Sequence, residues 1–451
     1  MVKLEEKLNS LLSMGADFAD IRYMKSKTLI ANSSEVRNII SNNGISEGYA
    51  IRVLYKGNFG YKFTTNLNNL DLKDVLLLAV GDKKTNVYQL KPKKDIVIIK
   101  EKYPNSKKPN EIIEDISKIK EEILNADKRI KSINVRYSEN SIEKQYLSSD
   151  GRDIEIKYKI SSLSISAVAR ENNINVSSHI SLSTYLGYPI EVFDINESVN
   201  KLLNKVSMQL KGKSAKAGEA KVILSPEVSG VFAHEALGHL AEADLAISGI
   251  LGKLKGKKIA KDIVNVSDSP YLDYPTAIGI TPYDDEGVEG REVNIIENGI
   301  VKEFLNNRTY ALYTNELPSG NGRSEDFRSS ILIRMRNTYF RPGKSRFDEM
   351  LEDIKEGYLM SSVLGGQTSP DGTFQFGIEE GYKIENGEIK YPLRNVGIAG
   401  YTLETLSQIT DVSKDFNVWP GVCGKMGQSV YVGTGGPYVK VEKIKVGGSN
   451  E

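Results

Sequence analysis

The sequence predicts an α+β protein of two domains. The first is an N-terminal α/β domain with a meandering antiparallel sheet, the second a C-terminal, mostly-β domain wrapped around one helix. Three observations predict this. At 451 residues the chain exceeds what one ordinary core holds, so two domains are the natural division. In the first half, long stretches of period-2 alternation follow one another with only turns between them, the pattern of an antiparallel meander. Lys211–Gly218 (KGKSAKAG) is rich in Lys, Gly and Ala and poor in large apolar residues, which marks a boundary. The domains are accordingly placed at 1–212 and 219–451.

Taken in order, Met1–Gly15 (MVKLEEKLNSLLSMG) sets Glu5, Glu6 and Lys7 among its leucines. That reads as an amphipathic helix and not as the apolar segment of a signal peptide. Strands are expected at Asp20–Tyr23 and Val36–Ser41, with a turn at Asn42-Asn43-Gly44. Tyr49–Thr65 reads as a hairpin turning at Lys56-Gly57-Asn58. A helix at Asp71–Val80 and a strand at Ile96–Ile99 come next. Pro109–Ala126 spaces Ile112, Ile113, Ile116, Ile119 and Ile123 as a helix does. Ile133–Tyr137, Glu143–Ser148, Asp153–Ala169 and Ile174–Tyr185 alternate as strands, and Leu202–Leu210 closes this half as a helix.

The second half opens with a strand, Ala220–Leu224, that feeds directly into a helix. Ile247–Lys261 is basic and broken by glycines, which reads as a solvated surface loop; no aromatic residues interleave its lysines as nucleic-acid binding would require. Asn298-Gly299 and Asn386-Gly387 sit between alternating stretches and predict two-residue hairpin turns. Arg346–Tyr358 reads as one helix, with Phe347, Met350, Leu351, Ile354 and Tyr358 on a core-facing stripe. Gln428–Val446 supplies further strands.

Composition excludes several classes of function. The 60 Lys and Arg balance 59 Asp and Glu, leaving a net charge of +1, so there is no global nucleic-acid footprint. No apolar run is long enough to span a bilayer. A single cysteine, Cys423, excludes a disulfide framework within the chain, and an intracellular, cytoplasmic setting is the expectation.

Chemistry concentrates in Ser225–Asp244 (SPEVSGVFAHEALGHLAEAD), which holds two of the chain's three histidines. Ser225 can cap the helix, Pro226 suits its first position, and Glu227 favours its positive end. His234 and His239 are spaced His-Glu-x-x-x-His, one residue longer than the zincin motif. On an ideal α-helix five residues leave the two rings roughly 140° apart, too far to share an ion. A single π-type turn would bring them together, and Gly238 makes such a distortion less costly. The sequence therefore predicts a locally widened helix and a metal site.

A catalytic zinc ion takes three protein ligands and leaves a position for water. The candidates for the third are Glu242, Asp244, His179 and Cys423. Glu242 and Asp244 follow on the same helix and suit the role of orienting a ligand, or an ordinary polar face. His179 lies mid-strand in the other domain and reads as structural. Cys423, framed by Gly421 and Gly424, suits a soft ligand projected from a loop, with Lys425 placed to favour the thiolate. The expected set is His234, His239 and Cys423, binding one Zn2+ per chain.

These residues resemble the TldD/PmbA proteins. HEALGHLAEAD (His234–Asp244) is similar to the metal helix of the TldD branch, and GVCGKMGQS (Gly421–Ser429) to its Cys-bearing segment. PYDDEGVEGR (Pro282–Arg291), ENGIVKEFLNNR (Glu297–Arg308), SGNGR (Ser319–Arg323), RMRNTYF (Arg334–Phe340) and GGQTSPDGTFQF (Gly365–Phe376) resemble the family in the same order. Gly48–Thr65 is similar to the pattern of its N-terminal domain. The PmbA (TldE) branch lacks His-Glu-x-x-x-His, so the resemblance is to TldD.

The resemblance implies a zinc metallopeptidase of the modulator-of-gyrase group, with Glu235 as the catalytic carboxylate. It implies a cytoplasmic enzyme acting on unfolded or leader-type peptides in an enclosed site. It also implies a dimer, either of two copies or with a metal-free TldE/PmbA-like paralogue, and no membrane or direct nucleic-acid partner. Asn321, Arg323, Arg336 and Asn337 are candidates for holding substrate, and Gly366 and Gln367 for offering a strand edge to a peptide backbone. Two other readings stay open on sequence: a peptide-binding subunit with structural zinc, and a zinc hydrolase of a non-peptide amide.

Overall fold

The computed structural model describes residues 2–41, 44–82 and 84–448, and its architecture is α+β with two large, mainly antiparallel sheets. Eight strands between Phe18 and Thr184 form the first sheet. Its central strands are long because each is paired along both edges: Ile130–Ser148 lies between Phe18–Ser34 and Arg152–Glu171. The polar stretch Ser138–Ser141, which reads as a break between two strands in the sequence, continues through the sheet as Asn140 pairs with both Thr28 and Ile160. Lys93–Ile98 adds a parallel edge strand beside Arg152–Lys157.

The helix Pro109–Ala126 falls on the predicted residues, and Ile112, Ile116, Ile119 and Ile123 bury its stripe. Ile195–Lys211 begins earlier than expected, at an Asp194 side chain that accepts the Glu197 N–H. Both helices cover one face of this sheet in a shared core with Ile133, Val135, Leu163 and Ile165. The turn expected at Asn42-Asn43-Gly44 has its first two residues outside the described set.

Twelve strands between Lys213 and Gly448 form the second sheet, with Gln428–Gly448 at its centre. That strand pairs with Gly218–Leu224, Asn337–Phe340, Val396–Tyr401 and, over most of its length, Ile409–Lys425. The helix Pro226–Phe232 packs into the sheet, and its Phe232 ring lies 5.1 Å from Phe374 and 6.0 Å from Phe340. Asn298-Gly299 and Asn386-Gly387 form two-residue hairpin turns with positive φ at all four residues, as their chemistry predicts.

Three expectations are corrected. The helix at Arg346–Tyr358 is six residues long, Phe347–Glu352, and Tyr358 lies in the strand Glu356–Thr368. The stripe is still core, since Met350, Ile354 and Leu359 pack with Ile223, but parallel pairing of Tyr358–Met360 with Val222–Leu224 overrides helical spacing. The basic segment at 247–261 is pinned, with Leu251 fully buried and the N–H groups of Ile259 and Ala260 donating to the Gly299 carbonyl. Cys423 is not on a loop; it lies in the strand Ile409–Lys425, three residues before the hairpin turn at Met426-Gly427.

Buried charge joins the two sheets. Arg52 pairs with Asp20 on its own sheet and with Glu286 across the junction, and Arg308 reaches back to Asp150. Such pairs gain little net stability but are costly to break singly, so they fix how the sheets meet. Among the described residues, no helix is long and apolar enough to cross a membrane.

Candidate metal centre

The strand Gly218–Leu224 delivers the chain to Ser225, whose Oγ accepts the Val228 N–H at 3.3 Å and donates to the Ser361 carbonyl at 2.7 Å. The helix starts there with Pro226 in its first turn and is regular to Phe232. From Ala233 to Gly238 it widens into a π-helical turn, as the histidine spacing requires. The N–H of His239 donates to the carbonyl of His234, five residues back. The two imidazoles thereby meet with ring centres 5.4 Å apart and planes at 80°. Gly238 contributes room as well as pliancy: a Cβ there would lie 1.9 Å from the Met335 sulfur.

Cys423 reaches the same point from the opposite side. Its Sγ lies 3.5 Å from His239 Nε2. Arg334 holds the end of this hairpin, donating to the carbonyls of Cys423 at 2.5 Å and Gln428 at 3.3 Å. One ligand atom from each of His234, His239 and Cys423 lies within 4.8 Å of the other two.

The donor set fits a zinc ion. Two imidazoles and a thiolate are ligands zinc accepts, and with Zn–N near 2.1 Å and Zn–S near 2.3 Å a tetrahedral N···S edge is about 3.5 Å. His234 Nδ1 is buried and has no hydrogen-bond partner, as expected where a cation completes a site. The electrostatics agree. Burial works against the Cys423 thiolate, but the adjoining His234 and His239 outweigh it and bring the thiol down to about 4. Burial would likewise discharge His239, yet its bonds to Cys423 and Glu242 lift it to about 10. The pocket thus favours the charged sulfur that a metal needs, while His239 would have to give up its Nε2 proton to serve as a ligand.

Behind His239, Nδ1 meets Glu242 Oε2 at 3.1 Å, which leaves Nε2 for the centre. Glu242 has no exposed side-chain surface. Asp244 does not touch either histidine; it binds Lys425, which also binds Glu242.

Glu235 stands at the rim. Its Oε2 is 3.8 Å from His239 Nε2, and about a quarter of its side chain is exposed. It lines two cavities, one of about 450 Å³ with His239, Gln367 and Lys425, the other of about 1070 Å³ with His234, Lys205 and Trp419. Gly366 and Val422 line both as well. The strand carrying Gly366 and Gln367 pairs with Phe374–Gly377 along one edge, and no strand among the described residues pairs its other edge from Gly365 to Thr368.

The structure does not bring Asn321, Arg323, Arg336 or Asn337 to these cavities. Asn321 donates to Asp268 and to the Arg334 carbonyl, and Arg336 binds Asp268 through Nε at 2.7 Å. Arg323 donates to the carbonyls of Met335 and Tyr431, and Asn337 to that of Ser269. All four are buried and bind internal acceptors, so their donors are already used within the fold. His179 lies apart from the centre, 3.6 Å from Glu379 on the wall of the larger cavity. Sequence reasoning missed Val422 and the bracing role of Lys425. The alternation Cys423–Lys425, which puts both side chains on one face of a strand, was the available signal.

The chain is similar to known proteins along most of its length. Residues 217–448 match the PmbA/TldA metallopeptidase C-terminal domain and residues 102–210 the central domain of the same family. A Saccharolobus solfataricus protein named zinc metalloprotease TldD homolog is 46% identical over 96% of this chain and 97% of its own. A metalloprotease of Methanocaldococcus jannaschii is 36% identical over 96% of this chain and 98% of its own. Among solved structures, TldE from Thermococcus kodakarensis superposes with a TM-score of 0.72 at 22% identity, covering 98% of this chain and 99% of that one. A Thermotoga maritima protein provisionally assigned as a modulator of a DNA gyrase reaches 0.77 at 22% identity, with 98% and 99% covered. At such identities the two structures share the fold.

Proposed function

The chain belongs to the PmbA/TldD metallopeptidase family, and from that premise we propose that it is a zinc-dependent hydrolase of peptide bonds acting on unfolded or flexible peptides. The observation that carries the reading is the position of Glu235, beside the ligand cluster, off the metal, and facing both cavities. A site built only to hold structure needs neither a free carboxylate nor open space next to its ligands.

His234, His239 and Cys423 would hold zinc, whose Lewis acidity polarises a scissile carbonyl and acidifies water. Glu235 takes the proton released as water attacks and returns it to the nitrogen of the leaving amine. Glu242 keeps His239 in one tautomer throughout. The open edge from Gly365 to Thr368 runs along the cleft, so a peptide is read mainly through its backbone, as an added strand, with Gly366 and Gln367 nearest the centre. Unfolded segments suit such a site because folded ones have no free strand to offer.

The reading includes a dimeric working unit, either two copies or this chain with a metal-free TldE/PmbA-like one, whose fold this chain shares. The reading places the enzyme in the cytoplasm, where a lone zinc-binding thiol stays reduced.

The test is metal analysis beside peptide cleavage, on the chain alone and with a TldE-like partner. Native protein should carry near one zinc per chain and cleave unstructured peptides. Glu235→Gln should keep its zinc and lose cleavage by about 10²–10⁴-fold. Cleavage at the native rate by that variant would refute the mechanism. Failure of native protein to take up zinc would refute the metallopeptidase reading.

A further inference from the structure

The hairpin that supplies Cys423 supplies a second group to the same centre. In a strand, residues two apart face the same way, so Cys423 and Lys425 both point at the metal helix. Gly424 between them turns away, and a Cβ there would meet nothing within 4 Å. Lys425 Nζ donates to Glu242 Oε2 at 3.0 Å, Asp244 Oδ2 at 2.7 Å and the Ile333 carbonyl at 3.2 Å. All three ammonium protons are thereby assigned. The side chain is nearly buried, at 9% exposure, so this arrangement is not a loose surface contact.

The same Glu242 oxygen that accepts from Lys425 meets His239 Nδ1. A closed circuit results, running from Cys423 along the strand to Lys425, then through Glu242 and His239 back to the Cys423 sulfur. We propose that Lys425 is a positioning residue for the metal centre, fixing Glu242 and through it the ring of His239, so that Nε2 faces Cys423 before a cation arrives. This rests on the zinc reading above and goes beyond it by assigning affinity to a residue that never touches the ion.

The argument is geometric. Glu242 Oε1 is buried without a partner, so Oε2 alone holds this carboxylate in place. Remove Lys425 and, among the described residues, the Glu242 carboxylate keeps no hydrogen bond except the one to the imidazole it should be orienting. A carboxylate free to turn can meet His239 in more than one way, and each unproductive arrangement must be undone when metal binds. Partners of this kind typically change metal affinity by about 10–100-fold. Lys425 also compensates the buried Glu242 carboxylate and the partly exposed Asp244, and that role alone would affect folding but not affinity.

Arginine separates the two roles, because it keeps the charge but spreads its donors in a planar fork that cannot reproduce three converging bonds. The experiment uses the full chain as native protein, Lys425→Met and Lys425→Arg. Zinc dissociation constants are read by competition with a chromophoric chelator, and the d–d spectrum is recorded with Co2+ alone. Both variants should bind zinc about 10–100-fold more weakly, with a shifted Co2+ band that keeps its thiolate charge-transfer feature. Native affinity and a native Co2+ spectrum in Lys425→Arg would overturn the proposal, whether or not Lys425→Met folds. If the unsubstituted protein binds neither ion, the zinc reading itself fails, and that result is distinct from a defect confined to the variants.

Discussion

The backbone N–H of His239 donates to the carbonyl of His234, and that single five-residue hydrogen bond brings together two imidazoles that an α-helix would hold apart. Ordinary helical geometry would leave the two rings about 140° apart. The π turn sets them 5.4 Å apart instead, within reach of one sulfur on another strand. Helix regularity is exchanged for a place where three ligands converge.

Gly238 should be a sensitive position in that turn. Its φ is ordinary, so the constraint is space, with the Met335 sulfur where a Cβ would go. Gly238→Ala should cost about 1–3 kcal/mol of stability and lower zinc occupancy at limiting metal. Pairing it with Met335→Ala, which removes the obstructing sulfur, should recover part of the occupancy. Thermal unfolding and metal analysis of the single and double variants check this, and an occupancy that stays low in the double variant would mean that crowding is not the cause.

The junction behind the cleft should be acid-sensitive through Glu379. This carboxylate has no exposed surface and accepts from Ser178 Oγ at 2.7 Å, the His179 N–H at 3.0 Å and Lys205 Nζ at 2.9 Å. Burial pushes its pKa up, but these partners and the His179 ring more than reverse that and bring it to about 2. A depressed carboxylate contributes its stability above the unfolded value near 4.3, and that contribution is lost as the pH falls toward 2. Its size is about 3 kcal/mol at neutral pH. Glu379→Gln should lower Tm at pH 7 and flatten the decline in Tm between pH 5 and pH 2. Parallel curves for variant and native protein would contradict the assignment.

Val422 should control passage along the cleft. It is 64% exposed and lines both cavities beside Glu235, so a larger side chain there costs the core nothing. On the peptidase reading, Val422→Tyr should leave zinc content and Tm at native levels. It should lower kcat/KM for extended peptides about tenfold or more, an effect of the size expected when reacting groups are displaced by about 1 Å. Steady-state kinetics on a short and a long peptide decide the point, and unchanged values on both would mean that substrate does not cross at Val422.

The residues of the candidate metal centre were legible as a cluster because their chemistry is rare and local. Three histidines and one cysteine leave few ways to build a site, and a five-residue histidine spacing has one productive geometry. The α+β class was legible from alternation. What failed was anything decided by distant pairing. Ser138–Ser141 looks like a turn until Phe18–Ser34 and Arg152–Glu171 hold it on both sides. Tyr358 fits a helical stripe until Val222 claims it for a sheet. Asn321, Arg323, Arg336 and Asn337 have the residue types of a substrate site, and only the tertiary structure shows their donors bound to Asp268 and to backbone carbonyls and their side chains buried.

The thiol ligand stands 184 residues downstream of the second histidine, on the hairpin that completes the large sheet. At about 5–20 residues per second of synthesis, roughly 10–40 s separate the appearance of His239 from that of Cys423 on the ribosome. For that interval a nascent chain holds the two imidazoles without the thiol. On the metallopeptidase reading, metal loading waits until the closing hairpin has been made, and an unfinished chain would be spared from cleaving its own unfolded segments.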